Sequence, residues 1–189
     1  MIRKFRTILF LLLVAVNAVS QTKTDDLLQI LDEGKYSCVI YTDGKLRTFN
    51  KSGVRDLYDL LTTNPSVLKD ARMADKIIGK GAAALMILGG VKEVTTHVIS
   101  ESALRLLKDA NVNVSYEKCI YGIINRKKSD WCPLEKRLTN ATTAEECRPI
   151  ITQFITDLDA GNMKLPEPDE RQQWVISLYK IVYPCLLYT

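Results

Sequence analysis

The chain has 189 residues and a mass of 21.4 kDa, enough for one packed domain with some chain to spare. Apolar residues make up 47% and charged residues 25%, which excludes a disordered or low-complexity protein. The formal charge of +4 is concentrated at the N-terminus, so no electrostatic case exists for nucleic acid or an anionic membrane as partner.

Arg3, Lys4 and Arg6 precede an apolar run, Ile8 to Val16, too short to span a bilayer. Ala18 and Ser20 then occupy small-residue positions read by signal peptidase. Residues 1–20 therefore read as a signal peptide cleaved near Ser20, with a buried helix or an uncleaved anchor as the alternative. Its removal leaves 23 Lys and Arg against 22 Asp and Glu. The expectation is a periplasmic or secreted protein without a stable membrane anchor. Export would place Cys38, Cys119, Cys132, Cys147 and Cys185 in oxidising surroundings, and an odd count leaves at least one thiol unpaired within a monomer. A Cys147–Cys185 bridge pinning the tail is one hypothesis, and oligomerisation stays open. No C-x-x-C or His/Cys cluster supports structural zinc.

Thr24, Asp25 and Asp26 suit a helix start. Leu27, Leu28, Ile30 and Leu31 give that helix an apolar face, and Gly34 ends it. Tyr36 to Thr42 is rich in β-formers, Asp43-Gly44 is a strong hairpin signal, and Lys45 to Phe49 is the return strand. A helix follows from Ser52-Gly53 through Leu61, broken at Asn64-Pro65. Ala71 to Ala74 reads as a short strand and Lys76 to Leu88 as an apolar helix with small residues. Val94 to Ile99 is a strand, Ser100 caps a helix over Glu101 to Asp109, and Val112 to Tyr116 is the next strand. Cys119 to Ile124 extends that strand or lines the core. This alternation predicts a sheet with crossover helices. Residues 125–131 form a polar loop, Pro133 opens a helix through Leu138, and Thr143 opens another with Ile150, Ile151, Phe154, Ile155 and Leu158 as its stripe. Residues 161–169 read as a linker. Trp174 to Val182 reads as a last helix or extended segment that packs back.

Three blocks resemble domain-of-unknown-function family 1893: ADKIIGKGAAALMILGGVKEV (Ala74 to Val94), VISESALRLL (Val98 to Leu107) and IINRKKSDWCPLEKRL (Ile123 to Leu138). They occur in the family's order, and the resemblance covers roughly Asp25 to Pro149. The division that follows is a signal peptide over 1–20, the family domain over 25–149 and a C-terminal helical extension over 150–189. The family resembles a divergent branch of the cytidine deaminase-like superfamily, which implies a three-layer α/β/α sandwich around a mixed sheet. Fold alone does not carry activity.

Zinc deaminases need a His or Cys ligand two residues before a catalytic Glu, and a Pro-Cys-x-x-Cys pair on a second helix. Here Ala74-Asp75-Lys76 stands at the first motif, without ligand or Glu. At the second, Cys132 is followed by Pro133, and Glu135 takes the place of the partner thiol. His97, the chain's sole histidine, lies on a strand and reads as a structural residue. The expectation is no metal and no cofactor.

Two clusters remain as candidate sites. Asp75, Lys76 and Lys80 sit at or near the expected helix start, where free amides and lysines would attract an anion. The plainer reading is an Asp cap with exposed lysines. Asn125, Arg126, Cys132 and Glu135 lie on the facing loop and helix in the resembled fold. A thiol just before a helix start would have a depressed pKa, against the plainer reading of a capping loop with a buried or bridged Cys. Three functions are carried forward. The first is a binder of a small polar or nucleotide-like ligand that lacks zinc-dependent deamination. The second is a metal-independent enzyme using Cys132 as nucleophile and Lys76 as acid or base. The third is an exported interaction module.

Overall fold

The computed structural model describes residues 26–51, 53–125 and 130–162, with Glu170, Gln173, Trp174 and Ser177 beyond them. The signal-peptide reading, the cap at Thr24 and Asp25, Arg126, the linker at 163–169, Cys185 and most of the last segment lie outside the described residues.

Asp26 opens helix α1 (Leu27–Glu33), its carboxylate accepting the Gln29 N–H at 2.8 Å in place of the missing helical acceptor. Strands β1 (Cys38–Thr42) and β2 (Lys45–Phe49) form the expected hairpin. Asp43 and Gly44 both have positive φ, 51° and 69°, the twist that a two-residue turn between such strands requires. Helix α2 (Arg55–Thr63) buries Leu57, with Val54, Tyr58, Leu60 and Leu61 packed beside it. A 3-10 turn at Pro65–Val67 leads to β3 (Arg72–Ile78).

The expected break between strand and helix falls four residues late. Ile77 and Ile78 continue β3 because they pair in parallel with Val98 and Ile99, and extended Gly79 then caps helix α3 (Lys80–Gly89). Asp75 and Lys76 therefore lie on a strand and not at a helix start. Two β-branched residues prefer the pleated surface, and sheet pairing overrides the apolar helical pattern that continues through them. Helix α3 is buried nearly all round, and Gly81 allows α5 (Pro133–Arg137) to approach, since a Cβ there would sit 2.5 Å from Leu134 Cδ2.

Strand β4 (Glu93–Ser100) hands over to α4 (Glu101–Asp109) at Ser100, whose hydroxyl accepts the Ala103 N–H. Strand β5 (Asn113–Ile120) runs past the expected end at Tyr116, because Lys118, Cys119 and Ile120 pair with Val98, Ile99 and Ser100. The sheet order is β2-β1-β3-β4-β5. Strand β1 is antiparallel to both neighbours, and β3, β4 and β5 are parallel. The fold is thus mixed α/β around a five-stranded mixed sheet.

Helix α6 (Ala144–Asp159) starts with a capping box, in which Thr143 and Glu146 satisfy each other's backbone amides. It packs on α3, which also meets α2 and α4. The main core joins Ile40, Met73, Val94 and Ile99 of the sheet to Leu85, Met86, Leu107 and Ile151 of these helices. On the opposite face, α1 sets Leu27 and Leu31 against Val39 and Ala74. Burying Leu31 completely contributes about 2 kcal/mol by its transfer from water. The boundary expected after residue 149 falls inside α6. Ile151, Phe154 and Ile155 beyond it belong to the core, so the packed unit extends past that boundary.

Candidate functional site

Pairing β1 antiparallel to β3 sets Cys38 opposite Asp75 near one end of the sheet. There the sheet, α2, α5, α6 and the chain at 123–125 enclose a cleft of about 850 Å³. Ile77, Leu57, Ile123 and Phe154 give it apolar walls, while Asp56 and Asp75 bring carboxyls to it. Asp56 is buried and accepts the Lys51 N–H at 2.8 Å. Asp75 Oδ1 accepts the N–H of Ile77 at 3.1 Å. Burial pushes the Asp75 carboxyl up to about 7, the Ile77 amide opposing and Asp56 adding to the rise, with Lys76 pulling the other way. Burial also holds the Cys38 thiol well above its ordinary value, and Asp75 and Asp56 add to this.

The two expected clusters meet here in part. Asp75, Lys76, Asn125, Cys132 and Glu135 all line the cleft. Arg126 lies outside the described residues. Lys76 is exposed. Asn125 is tied back by its own N–H, which donates to the Asp130 carbonyl at 2.7 Å. Lys80 is turned away. Its ammonium donates to the Leu138 carbonyl at 2.8 Å and the Thr139 carbonyl at 3.5 Å, closing the end of α5.

Glu135 occupies the first amide of α3, where an expected anion would bind. Its Oε1 accepts the Lys80 N–H at 3.0 Å and the Ser100 hydroxyl at 2.9 Å, and Oε2 accepts the Ser102 hydroxyl at 3.4 Å. A buried carboxylate from α5 thus fills the position that a bound anion would take. Burial raises its pKa, with the Lys80 amide and Ser100 opposing. Gly79 leaves room for this contact, since a Cβ there would lie 2.7 Å from Oε1.

Cys132 differs from expectation. Its thiol is raised by burial, against the bonds from the Glu135 and Leu134 amides, and the Glu135 charge raises it further. The five-residue helix behind it supplies too little positive potential to offset the loss of water. His97 lies away from the cleft, on the face that carries α1. Its Nε2 is 2.9 Å from Asp32 Oδ1 and its Nδ1 is 2.8 Å from Glu117 Oε2, which matches the structural reading.

Asp56 and Cys38 were not singled out from the sequence. Asp56 carried one faint signal, an acid between Val54 and Leu57 on the apolar side of α2. Cys38 looked like any small core residue of β1. Among the described residues, no three His, Cys, Asp or Glu side chains are grouped so as to hold a metal ion, and no helix is long and apolar enough to cross a membrane.

The model of the TM1506 family, a domain of unknown function (DUF1893), matches residues 26–155. The chain belongs to this family. A crystal structure of a DUF1893 family protein (TM1506) from Thermotoga maritima, at 2.70 Å resolution, matches with a TM-score of 0.62 and 24% identity. The match covers 67% of this chain and 86% of that one, and it carries the fold alone. No curated protein matches. Every cleft residue named above falls inside the DUF1893 segment, and Leu158 of α6, just beyond it, also lines the cleft.

Proposed function

We propose that this DUF1893 domain is a zinc-free, cytidine deaminase-like module, exported by its N-terminal segment, that binds a small polar or nucleotide-like ligand. The observation that carries the reading is the cleft itself. It is large enough for a nucleoside-sized molecule, has apolar walls for a flat ring and has two carboxyls for its polar edge. The mixed sheet, with α1 on one face and α2, α3, α4 and α6 on the other, supports a three-layer arrangement of the deaminase-like kind.

The reading without zinc rests on the donor set. Water activation by zinc takes three protein ligands and an open position. The Ala74-Asp75-Lys76 motif offers neither the first ligand nor its Glu, and Glu135, which the resemblance sets in the place of the second thiol, is already engaged by three donors. The raised thiol of Cys132 weighs against the enzyme reading in which it serves as nucleophile.

Titration of the 15N-labelled protein with cytidine, uridine and adenosine, and with their monophosphates, tests this. At least one should give saturable shifts at the amides of Ile77, Ile123 and Asn125, with no ammonia released. Stoichiometric tightly held zinc together with ammonia release overturns the zinc-free reading, and the absence of any cleft shift overturns the binding reading.

A further inference from the structure

Among the described residues, the cations near the cleft are committed elsewhere or exposed. Lys80 binds the carbonyls of Leu138 and Thr139. The Arg55 guanidinium is paired with both oxygens of Asp159. Lys35 and Lys76 are exposed. Inside, Asp75 receives one bond, at Oδ1 from Ile77, and among the described residues no donor reaches Oδ2. Asp56 stands close enough to Asp75 and Cys38 to raise both. An acid to which no described cation is hydrogen-bonded, in a cleft with apolar walls, is an incomplete arrangement that a bound cation would complete.

Resting on the binding reading above, we infer that the ligand of this cleft is a flat cation, an amidinium, guanidinium or ring-protonated amino-heterocycle. Its N–H edge meets Asp75 and its body lies against Ile77, Ile123 and Leu57. Two parallel N–H donors match the two oxygens of a carboxylate, and such charge-assisted pairs are strong where water is excluded. A phosphate or carboxylate ligand would face two like charges and find the α3 amide already taken by Glu135. A neutral amide can accept from the protonated form of Asp75 or donate to the ionised one, so its affinity would change little as pH rises through that ionisation. A cation selects the ionised form, so its affinity rises through the same range.

Besides Lys35 and Arg55, the described titratable and charged groups that line the cleft with Asp75 are Asp56 from α2, Cys38 from β1, Lys76 from its own strand, Glu135 from α5 and Cys132 just before it. Both thiols are raised and stay neutral between pH 6 and 8. Glu135, which is buried, is a second acid whose pKa is raised, so a variant at Asp75 must separate the two.

The test uses one ring with three charges. Benzamidinium, benzamide and benzoate are titrated into the 15N-labelled protein at pH 6 and pH 8. Benzamidinium should shift the Ile77 and Ile123 amides saturably and bind about tenfold more tightly at pH 8 than at pH 6, following ionisation of an acid near 7. Benzoate should not bind. Asp75→Asn keeps the oxygen that accepts the Ile77 N–H. It should lose about tenfold or more of the benzamidinium affinity at pH 8, the size of a charged hydrogen bond, together with the pH slope. Should that variant fail to fold, the charge series and pH slope of the unaltered protein decide alone. Benzoate or benzamide binding as tightly as benzamidinium at pH 8, or a pH slope that persists in Asp75→Asn, overturns the inference and leaves the binding reading standing. No cleft shift with any of the three, where nucleosides do bind, overturns the inference alone. No shift with either set overturns both.

Discussion

Asp75 makes stability depend on pH in a direction opposite to most carboxylates. Its pKa is about 3.8 in an unfolded chain and about 7 in the fold. Below pH 4 both states hold the proton and the residue is neutral in its effect. Between pH 4 and 7 the folded state binds more proton than the unfolded one, so stability falls as pH rises, and above pH 7 the loss is complete. A rise of this size corresponds to a penalty of about 2 kcal/mol at pH 5 and about 4 kcal/mol at pH 8. Asp75→Asn removes the ionisation and retains the carbonyl that accepts from Ile77. The variant should therefore be more stable than the parent at both pH values, and its advantage should be larger at pH 8 by about 2–3 kcal/mol. Urea unfolding at pH 5 and pH 8 reads this directly from the midpoints, provided the slopes agree. An advantage that is equal at the two pH values, or a variant less stable at pH 8, would refute the claim that an ionisable group is held there against its preference.

Further outcomes follow from the other buried contacts. Lys80→Met keeps the apolar stem but leaves the Thr139 carbonyl without the ammonium and the Leu138 carbonyl still holding the Ala141 N–H, and urea unfolding should show a loss of about 1.5–3 kcal/mol. A loss below about 0.5 kcal/mol would mean that water replaces the ammonium at no cost. Burial pulls the His97 pKa down, but hydrogen bonds to Asp32 and Glu117 outweigh it and raise the value above 6.5. The stability these pairs contribute is full below the unfolded pKa and is lost as pH rises through the folded one. Proton NMR of the single histidine should show the raised titration, and Asp32→Asn should lower it. Iodoacetamide at pH 7.5, followed by mass mapping, should modify exposed Cys119 well before Cys132, whose thiolate is disfavoured by burial. Faster labelling of Cys132 would restore it as a nucleophile.

Local chemistry made much of the fold legible. Asp43-Gly44 fixes its hairpin because the turn needs positive φ twice, and Ser100 and Thr143 announce their helices by capping them. The start of α3 was misplaced for a physical reason. Ile77, Ile78 and the residues after Gly79 are apolar in a way that suits strand or helix, and only pairing with β4 distinguishes them. That shift moved Asp75 and Lys76 from a helix start to a strand, and it changed what they can do. The sequence positions of Asn125, Cys132 and Glu135 point to the cleft, but the pairing of Asp56 with Asp75 in it has no local signal. Asp56 and Asp75 are 19 residues apart in the chain, and nothing in either neighbourhood shows that α2 returns to the end of β3. The role of Glu135 was equally hidden, because its partners come from α3 and from the end of β4.

The bonds of Glu135 also bear on the order in which the chain can finish folding. The first turn of α3 lacks a local side-chain cap, and the carboxylate that serves it arrives 55 residues later. During synthesis, the β-hairpin, β3 and β4 emerge while that turn still opens to water, and it is secured only once α5 swings over Gly79 and Gly81. Chains cut anywhere before residue 133 should therefore fray at the helix they bury most deeply, which makes α5, despite its five residues, the clasp of the domain.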